Sequence, residues 1–388
     1  MGHDHAVSTR DRFPGLSDGW ARLDGAGGTL MVDTAIDAMT DFMRSPAASN
    51  TGGAFAASAA CDELMEGARG TVGGLLGVGE GDVVFGPNST TLILGFTRAL
   101  GRYLDPGDRI VCTQLDHDSN VSTWMAMAED VGAEVVLWPL DETGHLDVDH
   151  LEELLAPGDV AWVAVTGTSN LTGAVPPITK ITALAHAAGT KVHLDAVARV
   201  PHLRTHRDEL GVDSLMTSAY KWFGPHVGML ALSAELLTTV EPYRVRPADY
   251  PGARRFETGT PSFETIAGVA AAAAFLMDEP SPIAHEQELI ERLEQGLRAL
   301  PTVELYVPDP ADERAPTTIF NVGDHHPDAV AAHLATRQVA VWSGDCYARE
   351  LIAALGLTER GGAVRASLVR YNDATDVDRL LEAVSELV

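Results

Sequence analysis

The feature that most constrains this 388-residue chain is the alternation of short apolar runs with helical segments between residues 82 and 232. The apolar runs predict strands at Asp82–Phe85, Arg109–Thr113, Glu134–Trp138, Val160–Val165, Lys191–Leu194, Ser214–Thr217 and Gly228–Leu232. The segments between them predict helices at Thr91–Leu100, Val121–Glu129 and Ile178–Ala188. This alternation is typical of an α/β fold with a mostly parallel sheet covered on both faces. Ligands of such sheets bind at the carboxyl ends of the strands, so residues that directly follow a strand are the first candidates for a site.

The pattern changes after the proline-rich segment Asp278–Pro282. A buried helix, Ile266–Met277, precedes this break and is too short to span a bilayer. The elements predicted after it are the helix His285–Leu300, the strands Val303–Val307, Thr318–Val322 and Val339–Trp342, and the helix Ala374–Leu387. The length suits two domains. We therefore predict a large domain over residues 21–280 and a smaller α+β domain over 281–388 that includes residues 1–20.

The charge and the cysteines restrict the partners and the compartment. With 27 basic and 55 acidic side chains, the net charge is 27 − 55 = −28, which disfavours nucleic acid and anionic membranes as partners. Three widely spaced cysteines, Cys61, Cys112 and Cys346, form no disulfide framework and indicate a reducing compartment. The polar N-terminus lacks the apolar core of a signal peptide, so a cytoplasmic location is expected. His3 and His5 could suggest a metal site, but on a polar terminus a disordered tail is the prediction, and no metal site is predicted.

The segment Thr217-Ser-Ala-Tyr-Lys-Trp-Phe-Gly-Pro225 directly follows a predicted strand and contains the main candidate for covalent chemistry. Lys221 would lie at the carboxyl edge of the sheet, beside small and hydroxyl residues able to hold a phosphate. Burial lowers the pKa of a lysine and frees its amine to form a Schiff base with a carbonyl cofactor. The alternative is a buried structural lysine, and three other segments favour the chemical interpretation.

Those three segments place polar groups at the same edge of the sheet. Asp195 ends the run that begins at Lys191, where it would either cap a helix or hold the ring nitrogen of pyridoxal 5′-phosphate (PLP) protonated. Ser89 and Thr90 lie between a strand and a helix, as an anion site or a plain cap. His117 follows another strand, where it could stack on a pyridine ring or be structural.

In order and spacing, these segments resemble the class V aminotransferase superfamily, in its cysteine-desulfurase-like branch. The resemblance runs from about Leu23 to Val388 and implies PLP fold type I. It implies Lys221 as the Schiff-base lysine, Asp195 as the pyridinium partner and His117 as the ring-stacking histidine. It further implies phosphate ligands at Ser89, Thr90 and Ser218, Tyr220 where many relatives have a histidine, Asn170 near the ring hydroxyl and substrate carboxylate, and Arg365 at the substrate α-carboxylate. The segment ending at Thr260 is similar to one that reaches the neighbouring subunit's phosphate, which implies a homodimer.

Two departures from the desulfurase pattern bear on the reaction. Where those enzymes read Asp-Gly-Ala-Gln, this chain reads Asp195-Ala-Val-Ala198, so the glutamine near the ring hydroxyl is absent and Asn170 is left as the candidate there. The expected position of the sulfur-accepting cysteine is Tyr347, and Cys346 lies one residue early. In an extended loop that displacement would turn the side chain to the other face, so Cys346 is a possible loop nucleophile but not an expected obligatory persulfide carrier.

The resemblance implies a PLP-dependent lyase or transferase that acts on an L-amino acid, with Cβ–S cleavage of cysteine or an S-substituted cysteine as the first expectation. Decarboxylation-coupled deamination, transamination and epimerisation of an amino acid or cysteine conjugate stay open, because the sequence does not show which Cα bond lies perpendicular to the ring. A non-catalytic PLP-binding sensor is the alternative from another class. The lead before Leu23 is too short for the DNA-binding segment that such sensors carry.

Overall fold

The structure of the chain is a computed structural model that describes residues 8–308 and 314–388, so His3 and His5 lie outside the described residues. The strands are β1 (Ala21–Arg22), β2 (Val83–Gly86), β3 (Arg109–Thr113), β4 (Glu134–Trp138), β5 (Val160–Thr166), β6 (Lys191–Asp195), β7 (Ser214–Ser218), β8 (Gly228–Leu232), β9 (Val303–Leu305), β10 (Thr317–Val322), β11 (Val339–Ala340), β12 (Trp342–Gly344) and β13 (Ala363–Ser367). The helices are α1 (Asp33–Arg44), α2 (Ala56–Leu76), α3 (Ser89–Leu100), α4 (Ser122–Val131), α5 (Val148–Leu155), α6 (Ile178–Ala187), α7 (Arg207–Leu210), α8 (Ala234–Thr239), α9 (Phe263–Asp278), α10 (Ile283–Ala299), α11 (Pro327–Thr336), α12 (Arg349–Ala354) and α13 (Ala374–Ser385).

The seven predicted strands of the first part form one sheet in the order β2-β8-β7-β6-β5-β3-β4. Strand β8 pairs antiparallel with both of its neighbours, and the other adjacent pairs are parallel. The central strands are buried along nearly their whole length, which explains their continuous apolar runs. Two separate hydrophobic clusters pack on the sheet and its helices. The prediction of an α/β fold with a mostly parallel sheet is therefore confirmed.

The rest of the chain forms a four-stranded antiparallel sheet in the order β12-β13-β10-β9, with its own hydrophobic cluster. The prediction of one strand over Val339–Trp342 is wrong. Val339 is buried and β11 pairs with β1, whereas Trp342 is half-exposed and β12 pairs with β13, so Val341 links two different sheets.

The limits of the two predicted domains stay a prediction. Phe13 packs in the larger cluster on the first sheet, although it lies in the segment assigned to the small domain. Ala21 and Leu23 pack in the cluster of the antiparallel sheet, although they lie at the start of the range assigned to the large domain. The N-terminal segment thus contacts both parts. None of the described helices is long and apolar enough to cross a membrane.

Candidate active site

Lys221 lies in a short turn, Ala219–Lys221, that follows β7 at the carboxyl edge of the sheet. The N-terminal segment holds this turn, since Thr29 N donates to Tyr220 O at 2.9 Å and Val32 N donates to Phe223 O at 3.0 Å. Phe223 has a φ of 71°, a left-handed conformation that is strained for an aromatic residue, and its N–H donates to Thr29 Oγ1 at 2.8 Å. These bonds fix the position from which the lysine side chain extends, and its Nζ donates to Ala26 O.

The surroundings of Lys221 favour a neutral amine. Burial, together with the positive charge of Arg365, lowers the pKa of Lys221 to about 7, although Asp195 opposes the shift. A primary amine that is substantially deprotonated near neutral pH is nucleophilic toward carbonyl compounds. Lys221 therefore has the protonation state that Schiff-base chemistry requires.

Asp195 and His117 lie in the same cavity as Lys221. Asp195 ends β6, its Oδ1 accepts from Val197 N at 2.9 Å, and burial raises its pKa to about 6. Burial lowers the pKa of His117 to about 4, with Lys221 contributing, so this imidazole is neutral at physiological pH. Its Nδ1 accepts from Ser119 N at 3.1 Å. The carboxylate is thus suited to a protonated ring nitrogen and the neutral imidazole to stacking.

The N-terminus of α3 is a polar edge of the cavity. Ser89 is its first residue, Asn88 caps it by accepting from Thr91 N at 2.8 Å, and Ser89 N donates to Ser218 Oγ at 3.3 Å. A Cβ at Gly228 would lie 2.2 Å from the carbonyl carbon of Asn88, so glycine is required for this close approach. The helix end is therefore both capped and available as an anion site through Ser89 and Thr90.

The cavity around Lys221 has two connected parts. The inner lobe includes Asp195, Val197, Ala198 and His202. The outer lobe includes Trp342, Cys346, Tyr347 and Arg365. Residues common to both lobes are Ala26, Thr90, His117, Asn170, Tyr220 and Lys221. Lys221 lines both lobes and therefore lies where they meet.

Arg365 occupies the outer lobe on β13 and is almost fully buried. Its Nη1 donates to Asn170 O at 2.9 Å, and its Nε is buried without a partner among the described residues. Burial lowers the pKa of Arg365 because it removes the guanidinium from water, and the charge of Asp24 only partly opposes this shift. A buried guanidinium with an unused donor is suited to a carboxylate ligand.

Cys346 also lines the outer lobe, which corrects the expectation of an extended loop. Cys346 and Tyr347 have φ values of 47° and 58°, so side-chain alternation along a strand does not apply to them. Asn170 Nδ2 donates to Cys346 O at 2.9 Å, and the Tyr347 ring stacks on His117 at 5.4 Å. Burial raises the pKa of Cys346, which favours the thiol. Its role as a nucleophile stays a prediction.

Two other predicted residues have different surroundings. The Tyr220 ring stacks on His226 at 4.9 Å, and Lys221 Nζ lies 4.9 Å from its centre. Thr260 lies outside both lobes and is exposed in a separate depression beside Arg69 and Glu257. A single chain therefore does not bring Thr260 to Lys221, and its contribution to a neighbouring subunit stays a prediction.

Sequence reasoning did not find several cavity residues. Ala26 accepts the lysine hydrogen bond, yet it is nearly two hundred positions away from Lys221 and has no polar side chain to attract notice. Ser119 and His202 were detectable in principle, because each follows a strand that already supplied a candidate. A short distance in sequence from the end of a strand was the available signal for these residues. The conformation of the turn after β6, which the sequence does not show, determines which residues of that turn reach the cavity.

The fold and this lysine-centred cavity define a class of proteins, and comparisons with known proteins agree. Residues 21–380 match the Aminotransferase class-V family. A cysteine desulfurase of Serratia proteamaculans is 30% identical over 386 residues, covering 95% of this chain and 93% of that protein. One from Yersinia pestis is 31% identical over 384 residues, covering 94% and 92%.

Solved structures give the same result. The cysteine desulfurase CsdA from Escherichia coli superposes with a TM-score of 0.89 at 27% identity, covering 97% of each chain. The apo cysteine desulfurase from Thermococcus onnurineus superposes with a TM-score of 0.93 at 26% identity, covering 100% of this chain and 98% of that one. The chain belongs to the class-V aminotransferase family, whose members are PLP-dependent, and the predictions of the family and of an enzyme are confirmed.

Proposed function

We propose that this chain binds PLP through Lys221 and cleaves the Cβ–S bond of cysteine or an S-substituted cysteine. The observation that carries the proposal is Lys221, with its pKa lowered to about 7, between the inner lobe with Asp195 and the outer lobe with Arg365. The curated relatives named above are cysteine desulfurases.

The residues of the cavity fit PLP. Asp195 offers a buried carboxylate for the ring nitrogen, and the neutral His117 offers an apolar ring face. A phosphate would be held at the N-terminus of α3 by Ser89 and Thr90, beside Ser218 at the end of β7, and Gly228 leaves the space that this close packing needs. Bound PLP supplies an electron sink for charge that develops at the Cα of an amino acid.

The chain's own groups would divide the remaining work between them. Arg365 would pair with the substrate α-carboxylate through the guanidinium atoms that it does not use on Asn170. This pairing would set the orientation of the amino acid relative to Lys221. Lys221, once released by the substrate amine, would take the Cα proton, because its pKa lies near the operating pH. The negative charge that develops at Cα would then favour cleavage of the Cβ–S bond, with the sulfur leaving as a thiolate.

We extend the proposal to assembly and location. The exposed segment at Thr260 lies outside its own cavity, which supports a homodimer in which each chain would complete the phosphate site of the other. The three cysteines are free thiols, which supports a reducing compartment such as the cytoplasm.

Product analysis of the purified protein tests the reaction. With PLP and a dithiol reductant, we expect cysteine to give alanine, its sulfur being reduced to sulfide by the dithiol. S-alkyl cysteines should give a thiol, pyruvate and ammonia by elimination. Carbon dioxide with an aldehyde, or a keto acid that keeps its sulfur, would instead establish decarboxylation or transamination. Lys221→Ala should lose turnover and the yellow band that borohydride fixes onto the lysine. Wild-type protein that stays colourless with added PLP would refute the whole proposal.

A further inference from the structure

A buried histidine–glutamate pair on the inner lobe has no role in the function proposed so far. His202 lies between β6 and α7, and Glu286 lies in the first turns of α10, beyond the proline-rich break. His202 Nδ1 and Glu286 Oε2 are 2.9 Å apart, and both side chains are more than nine-tenths buried. Burying two ionisable groups costs several kcal/mol in desolvation, so stability alone is a weak reason for such a pair.

His202 lies on the same wall of the cavity as Asp195. The wall formed by residues 195–202 contributes Asp195, Val197, Ala198, Pro201 and His202 to the inner lobe. Among these five, Asp195 and His202 have polar side chains, and the residues between them are apolar and small or of medium size. A ligand in this lobe therefore meets two polar side chains along this stretch of chain.

Glu286 determines which nitrogen of His202 is available. The carboxylate is bonded to Nδ1, and within the described part of the chain no residue bonds Nε2. Oε1 of Glu286 is buried without a partner, so His202 is the one side chain that bonds this carboxylate among the described residues. Because the contact with Glu286 takes up Nδ1, Nε2 is the ring nitrogen that is left to bond a ligand in the cavity.

Three other side chains of the inner lobe already donate to backbone carbonyls. Thr166 and Thr168 each donate their hydroxyl to a backbone carbonyl, and Asn170 Nδ2 donates to Cys346 O. The remaining side-chain oxygen of Asn170 is an acceptor. The phenolic oxygen of PLP, when ionised, needs a donor. Asn170 already uses one amide hydrogen on Cys346 O, whereas no bond engages His202 Nε2 among the described residues, so His202 is a further candidate donor to this oxygen.

We propose that His202 is a cofactor-binding residue whose Nε2–H donates a hydrogen bond to the ring oxygen of PLP, with Glu286 as the positioning residue behind it. The inference rests on the proposed function, since it presupposes PLP in the inner lobe. It assigns to the chain's own His202–Glu286 pair the contact that the Asp195-Ala-Val-Ala198 segment does not supply.

The test compares full-length His202→Gln and His202→Leu with the wild type. His202→Leu should weaken PLP affinity about tenfold or more and shift the visible absorption band, because it removes a charge-assisted hydrogen bond. His202→Gln keeps a donor and should recover most of the affinity. His206→Gln, a nearby histidine outside the inner lobe, is the matched control and should match the wild type. Circular dichroism checks folding.

If His202→Leu does not fold, Glu286→Gln provides the same test, since it keeps the shape of the pair but removes the carboxylate that holds His202 Nδ1. Affinity and spectrum that equal the wild type in a folded His202→Leu or Glu286→Gln variant would overturn the inference. That result leaves the proposed function standing, because the yellow wild type and the colourless Lys221→Ala report on PLP binding separately.

Discussion

The rate at which cofactor-free protein reacts with PLP should follow the titration of Lys221. Burial and the charge of Arg365 lower its pKa to about 7. At pH 8 about 90% of such an amine is neutral, against about 0.3% for a lysine of ordinary pKa near 10.5, a factor of about 300. Because the neutral form reacts, the rate should rise with pH through 7 and level off above 8.

The assay records the yellow band after mixing with PLP at pH 6 to 9, with Nα-acetyl-lysine as the control for the titration of PLP itself. Arg365→Gln removes the second-largest cause of the lowered pKa, so the half-maximal rate should move to higher pH. A wild-type rate that still climbs about tenfold per pH unit above 8, as for a free lysine, would refute the reasoning about this site.

Two further predictions concern the outer lobe. Arg365→Lys keeps the charge but loses the planar fork, so kcat/KM should fall about 10- to 100-fold with an unchanged cofactor spectrum, and unaltered substrate dependence would remove Arg365 from the site. Cys346→Ala should keep most activity on at least one S-alkyl cysteine, because elimination needs Lys221 and the cofactor rather than a thiolate. Loss of activity on every substrate with PLP still bound would make Cys346 an obligatory nucleophile, a role that its position beside Lys221 and Arg365 permits.

The sheet was predictable because strands buried on both faces have continuous apolar sequences. Strands such as β3 and β4 have the predicted limits, and the others differ by a residue or two at their ends. Helices α1 and α2 were not predicted. Both helices pack against α9. Because α2 contains four glycines and many alanines, its sequence lacks the clear apolar periodicity of a helix. Close packing of small residues depends on a partner that the local sequence does not show.

The candidate site was predictable where a residue follows a strand, and less so where distant segments meet. Lys221, Asp195 and His117 all follow strands of one sheet, and they share the inner lobe. Glycine and asparagine are the residues that usually indicate a positive φ, and neither occurs at Cys346 or Tyr347. Both residues nevertheless have positive φ values, so the expectation of an extended loop was wrong. His202 lines the inner lobe and contacts Glu286 of α10, which is 84 positions away in the sequence, so no local pattern indicates this pair.

Arg365 links recognition of the substrate to the reactivity of the lysine. Its charge lowers the pKa of Lys221 in the free enzyme, which favours the neutral amine that captures a carbonyl cofactor. In the proposed function, a substrate carboxylate paired with Arg365 would offset that charge, so we expect the pKa of Lys221 to rise on binding. A lysine released by the substrate amine would then be a stronger base at the moment when the Cα proton must be removed. The same buried guanidinium would thus favour the nucleophile before the substrate arrives and the base afterwards.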